Sequence, residues 1–109
     1  MDITADQSSN QLLASLPEPA WQRVGPLLEA VDLPLGKVLY ESGAKMGHVY
    51  FPTNAIISLL YVMENGASAE IAVVGNEGLV GIALFMGGET TPSRAVVQSA
   101  GKGYRLRFA

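Results

Sequence analysis

Ala55-Ile-Ile-Ser-Leu-Leu-Tyr-Val-Met-Glu-Asn-Gly-Ala-Ser-Ala-Glu-Ile-Ala-Val-Val74 decides the fold class. Two apolar segments, 55–63 and 68–74, flank Glu64-Asn65-Gly66-Ala67. Asn-Gly is the strongest short hairpin signal because both residues tolerate positive φ. The first segment is apolar on both faces apart from Ser58, which suits a strand covered on both sides. In the second, Ser68, Glu70 and Ala72 alternate with Ala69, Ile71 and Val73, the pattern of a half-buried partner. From residue 32 onward, short apolar segments separated by glycine and polar pairs recur at the spacing of an all-β sandwich or barrel. They fall at 37–41, 48–51, 55–63, 68–74, 80–84, 95–99 and 103–107.

Upstream of residue 32 the punctuation is different. Residues 1–10 are polar and read as a frayed tail. Leu12, Leu13 and Leu16 give a turn or two of helix with an apolar stripe. Trp21, Val24, Leu27, Leu28 and Val31 then continue a helical spacing behind Pro19, which the first helical turn tolerates. Pro26 cannot sit inside that helix, so the spacing predicts an end near Gly25 and a short turn restarting at Pro26. The chain therefore divides into a tail with short helices over 1–31 and a β domain over 32–109.

The composition narrows the function. With 109 residues there is room for one compact domain. The absence of cysteine excludes a disulfide framework, a thiolate nucleophile and cysteine-held zinc or iron–sulfur. A single histidine, His48, excludes a multi-histidine metal centre. Ten acidic against seven basic residues give a net charge of −3, which disfavours a surface that reads nucleic-acid phosphate. The longest apolar run, 55–63, falls well short of the about 20 residues a spanning helix needs, so no membrane partner is expected. The polar, acidic start is no signal peptide, and the expected location is the cytoplasm.

Gly75, Gly78 and Gly81 recur every third residue around Asn76 and Glu77. They resemble a phosphate-binding P-loop only superficially, since no Lys-Ser/Thr follows and no helix opens behind them. The order of the pieces is more specific. A short helix leads into Leu33-Pro-Leu-Gly-Lys-Val-Leu-Tyr-Glu-Ser-Gly43, then His48-Val-Tyr-Phe-Pro52 and the hairpin. Gly75-Asn-Glu-Gly-Leu-Val-Gly81 and Pro92-Ser-Arg-Ala-Val-Val97 complete the series. This arrangement, over roughly 10–107, resembles the cyclic-nucleotide-binding (effector) domain of bacterial Crp/Fnr-type transcriptional regulators. The resemblance implies a mainly β fold, a β-roll of the double-stranded jelly-roll kind with short N-terminal helices.

It also implies a ligand site. In that family a loop and helix after the Gly81-like glycine, with an arginine before the next strand, cradle the cyclic phosphate. A glutamate directly after the glycine binds the ribose hydroxyl. Here that position is Ile82, which cannot accept a hydrogen bond, and a hydroxyl buried against it would cost on the order of 1–3 kcal/mol. The family's Arg-Ser/Thr-Ala segment corresponds to Ser93-Arg94-Ala95. Alignment on the alanine puts Ser93 where the arginine belongs and Arg94 one step later, on the opposite strand face. By resemblance the candidate ligand-binding residues are Gly81, Ile82, Ala83, Ser93, Arg94 and Ala95. Arg94 has two readings: an inward bidentate fork for an anion, or a solvent-facing charge at a strand start.

Other residues carry similar pairs of readings. Glu77 and Glu89 either orient a ligand or are exposed loop carboxylates. His48 is a pH switch or a strand-start residue with a local hydrogen bond. Tyr50, Phe51, Tyr61 and Phe85 read as core or interface aromatics, and Lys102, Arg105 and Arg107 as a solvated strand face. Nothing resembles an acid/base couple, so no enzyme activity and no cofactor are expected, and cyclic nucleotides are expected to bind weakly or not at all. The expected function is the effector-sensing domain of a Crp/Fnr-type regulator, taking a small anionic effector and acting as a homo-oligomer. It would reach DNA only through a helix-turn-helix domain that these residues do not include. The alternative is a stand-alone β-roll interaction or oligomerisation module. A cupin-like enzyme would need clustered histidines for its metal.

Overall fold

The computed structural model describes residues 6–41, 47–81 and 93–107. A 3-10 turn, Gln7–Ser9, opens the described chain, followed by helix α1 (Gln11–Ala14), helix α2 (Glu18–Val24) and a second 3-10 turn, Gly25–Leu27. Seven strands follow: β1 (Leu28–Leu33), β2 (Val38–Tyr40), β3 (His48–Pro52), β4 (Ile56–Val62), β5 (Ser68–Val74), β6 (Ser93–Ser99) and β7 (Gly101–Arg107). They form two antiparallel sheets, β1-β7-β3 and β2-β6-β4-β5. The fold is mainly β with short N-terminal helices, as the motif order implied.

The N-terminal residues are not a frayed tail from Asp6 onward. The Asp6 carboxylate accepts from the Ser8 amide and hydroxyl. Asn10 is completely buried: its Oδ1 accepts from the Leu12 and Leu13 amides, capping α1, while its Nδ2 donates to the carbonyls of Pro52 and Gly78. A buried amide is tolerable only when its hydrogen bonds are made, and these four satisfy it. Helix α2 has Glu18 in its first turn and Arg23 in its last, both matched to the helix dipole. It stops where Pro26 offers no N–H, as its sequence predicts.

The helical spacing through Val31 does not persist. Residues 28–33 form β1, which pairs with β7 from Leu28↔Leu106 to Leu33↔Gly101, so the boundary between residues 31 and 32 falls inside a strand. The cause is burial on two sides. Leu28 packs toward the helices with Leu13, Val49 and Phe51, whereas Val31 and Leu33 face the second sheet. Apolar residues three apart on opposite faces of a strand imitate a helical stripe.

The core is accordingly split. Between the sheets lie Leu33, Tyr50, Ala55, Ile57, Val80 and Val97 among others; between the β1-β7-β3 sheet and the helices lie Leu13, Val49 and Phe51, flanked by Trp21 and Leu106. The β4–β5 hairpin forms around Gly66, whose φ of 87° closes the turn while the Asn65 side chain accepts from the Ala67 amide. Cover on both sides of 55–63 holds only for its first half. Ile57 and Ser58 are buried, but Tyr61 and Met63 stand exposed toward the hairpin tip, and Ile71 and Val73 are exposed on β5. The expected segment 80–84 is represented by a bridge between Val80 and Tyr50, and its later residues lie outside those described. No helix among the described residues is long and apolar enough to cross a membrane.

Candidate functional site

Strand parity sorts the candidate ligand-binding residues. Ala95 and Val97 are fully buried and join the core between the sheets, so Ser93, two residues before Ala95, shares their inward face. Ser93 is itself buried and hydrogen-bonds the Tyr40 hydroxyl. Burial of that phenol raises its pKa, and the Ser93 bond partly offsets the rise. Arg94 lies on the other face, opposite Leu60, and its Nε donates to Glu41 Oε1 at 2.7 Å in an exposed ion pair. Of its two readings the structure displays the outward one. Ile82, Ala83, Phe85 and Glu89 lie outside the described residues.

Gly81 stands at the edge of the described roll with φ 108°, and a Cβ there would come within 3.2 Å of the His48 carbonyl oxygen. Both constraints demand glycine. Glu77 is engaged locally, accepting from the Gly75 amide through both oxygens. Tyr50 and Phe51 are core aromatics, whereas Tyr61 is about half exposed.

Beside Gly81, His48 opens onto a groove of about 570 Å³ that Leu27, Glu29, Gly47, Arg105 and Arg107 complete. The register explains the convergence: Arg105 sits between Glu29 and Tyr50 on its neighbouring strands, and Arg107 lies opposite His48. Arg105 Nε donates to Glu29 Oε1 at 2.5 Å. The ion pair lowers the Glu29 pKa and raises that of Arg105. Partial burial lowers the His48 pKa, the two arginines push it the same way, and Glu29 opposes them. The basic residues 102, 105 and 107 are therefore not one solvated face. Lys102 pairs with Asp32 on the opposite side of β7, while Arg105 and Arg107 share the side of His48. The period of two between residues 105 and 107 was the available sequence signal; the partners Glu29 and His48 are remote in sequence and gave none.

No group of three or more potential metal ligands occurs among the described residues. The model of the family described as the cyclic nucleotide-binding domain matches residues 30–108, well over half of the chain. The chain belongs to the cyclic nucleotide-binding domain family. Solved structures agree on the fold. A regulatory subunit of a cAMP-independent protein kinase A from Trypanosoma brucei, in a triple mutant bound to cAMP, superposes with a TM-score of 0.81 at 13% identity, covering 93% of this chain and 37% of that one. The N-terminal domain of a transcriptional regulator from Streptomyces coelicolor A3(2) gives 0.76 at 21% identity, over 94% and 74%. The sensor domain of the transcriptional regulator DNR from Pseudomonas aeruginosa gives 0.76 at 15% identity, over 92% and 67%. The chain thus spans just over a third of the kinase subunit's length. No curated protein matches it. As a cyclic nucleotide-binding domain it presents a serine, not an arginine, on the inward side of the strand that carries Ala95.

Proposed function

We propose that this domain is the effector-sensing part of a Crp/Fnr-type transcriptional regulator, non-catalytic, and that it does not take cAMP in the family's usual way. The observation that carries the second half is the placement of Ser93 and Arg94. Serine supplies one neutral hydroxyl, already bonded to Tyr40, where the resemblance implies a guanidinium; the nearest guanidinium turns away to Glu41. Charge-assisted bonds contribute about 1.5–3 kcal/mol each, so losing a bidentate pair weakens phosphate binding by at least about a hundredfold. Ile82 removes the ribose acceptor as well. The cAMP-bound form of the cAMP-independent subunit from Trypanosoma brucei carries three substitutions, glutamate to alanine, threonine to arginine and valine to alanine, and the second of these is the kind of change that Ser93→Arg would make here.

Calorimetry with cAMP and cGMP tests the reading. The parent chain should show no micromolar binding, and the double variant Ser93→Arg with Ile82→Glu should gain affinity for cAMP; a micromolar dissociation constant for the parent would sink the proposal. Regulation of DNA would then run through a helix-turn-helix module joined to the sensing domain.

A second reading rests on the hairpin. Ile71 and Val73, on β5, the last strand of the β2-β6-β4-β5 sheet among the described residues, are 60% and 49% exposed, apolar side chains on an edge strand of the kind that finds a partner. They favour a homo-oligomer or an interaction module. Sedimentation of the parent against Ile71→Thr/Val73→Thr decides it, and a strictly monomeric parent at high micromolar concentration refutes it.

A further inference from the structure

The groove at His48 uses none of the features that the cyclic-nucleotide resemblance assigns, yet it concentrates positive charge on the inward side of the β1-β7-β3 sheet. Two guanidinium groups approach it from β7, at residues 105 and 107, and the only imidazole of the chain approaches it from β3. One carboxylate, Glu29 on β1, neutralises half of the arginine charge by accepting from Arg105 Nε. Arg107 has no ion-pair partner among the described residues. Arg105 also keeps N–H donors beyond the one bonded to Glu29, since a guanidinium carries five. A cationic groove with free donors on a planar fork is suited to a group with two or more oxygens on one centre.

We propose that this groove is a binding site for small oxyanions, carboxylate or phosphate, with Arg107 and the outer donors of Arg105 as direct ligands and His48 as a third donor when protonated. The proposal rests on the effector-sensing reading above and names the chemistry of the effector. Gly81, whose backbone lies against the His48 carbonyl, connects the groove to the segment where the family holds its ligand. The groups facing His48 are Glu29 from β1, Arg105 and Arg107 from β7, and Tyr50 from its own strand. Partial burial and the two arginines disfavour its protonation in the free protein; a bound anion opposes that bias and raises the imidazole pKa. Binding is therefore tighter at acidic pH.

The test uses nuclear magnetic resonance on the full chain, following the His48 imidazole and the Arg105 and Arg107 side-chain N–H signals. Sulfate is the primary probe because its charge is the same at about pH 5.5 and about pH 7.5, on either side of an ordinary histidine pKa. Inorganic phosphate and succinate distinguish the two ligand sources, and sodium chloride at matched ionic strength is the control. Saturable shifts are expected, with affinity about threefold to tenfold higher at the lower pH, from one added charge at contact distance in a solvated site. Arg107→Gln should weaken binding by at least about fivefold. Glu29→Gln, measured at the higher pH, should tighten it by removing the competing carboxylate, an outcome that a merely structural ion pair does not produce. The proposal is overturned if chloride reproduces the shifts, if Arg107→Gln binds as the parent does, or if Glu29→Gln weakens binding. Saturable binding at His48 with no accompanying change at Ser93 and Ala95 upholds the site and removes its sensing role. Cyclic nucleotide shifting Ser93 while no oxyanion shifts His48 removes the site and leaves a sensing domain.

Discussion

Asn10→Ala is the substitution whose cost the structure fixes most closely. Two separate contributions disappear with the amide. Its Oδ1 caps α1 at 3.0 and 3.2 Å from the Leu12 and Leu13 amides, and loss of such a cap costs about 1 kcal/mol. Its Nδ2 donates at 2.8 and 2.9 Å to the carbonyls of Pro52 and Gly78. Each acceptor left without a partner in a buried setting costs about 1–3 kcal/mol. The sum is about 3–7 kcal/mol, a large share of the roughly 5–15 kcal/mol that a domain of this size has. Urea denaturation should therefore show a stability loss of that size, read as a lower midpoint at unchanged slope, and Tm should fall by about 12–30 °C. Asn10→Ser separates the contributions: its hydroxyl keeps the cap but cannot reach both carbonyls, so it should recover about 1 kcal/mol of the loss. A parallel signature is faster amide exchange across residues 75–81, because Asn10 and the Gln11 amide tether that segment through Gly78 and Asn76. An alanine variant within about 1 kcal/mol of the parent, or serine no better than alanine, refutes the reasoning.

Four further outcomes follow from the same coordinates. Gly81→Ala should destabilise by about 1–3 kcal/mol in urea titration, because the position combines positive φ with a close His48 carbonyl. Arg94→Ala should cost under about 1 kcal/mol and leave ligand binding unchanged, since it removes only an exposed pair with Glu41. Stability should fall on acidification in two stages: first below the ordinary histidine pKa of 6.5, because the folded state resists protonating His48, then below the ordinary glutamate pKa of 4.5, because folding favours the Glu29 carboxylate. His48→Gln should flatten the first stage alone in pH-dependent melts. Ile71→Thr/Val73→Thr should reduce self-association measured by sedimentation with little change in Tm, as both side chains are already about half exposed or more.

The parts of the fold that could be read from sequence are those whose signal is local. The hairpin was legible because Asn65-Gly66 and the alternation beside it lie within twenty consecutive positions, and both strands form where that signal puts them. Strand β1 was not, because it packs Leu28 on one face and Val31 with Leu33 on the other, so that Leu28 with Val31 imitates a helical stripe. Asn10 was missed for a different reason. A polar residue in a polar segment reads as solvated, and the groups that make it a buried cap are 42 and 68 residues away. The groove beside His48 has the same origin: Arg105 and Glu29 are 76 residues apart and meet only because β1 and β7 are neighbours.

What sequence and structure together decide is a matter of a single residue step. In the order Ser93-Arg94-Ala95, Ala95 is anchored inward by the core, so the serine goes inward and the arginine outward. Exchanging the two residues would keep composition, net charge and strand propensity and would reverse which side chain faces the roll interior. The Arg94→Ser/Ser93→Arg exchange would then place a guanidinium beside Tyr40 in a half-dry setting, where an unpaired charge is costly until an anion arrives. That variant should be less stable than the parent alone and should regain stability when cAMP is added, by an amount that grows with ligand concentration. Equal stability with and without the nucleotide would mean that Ser93 does not hold the position of the family's arginine.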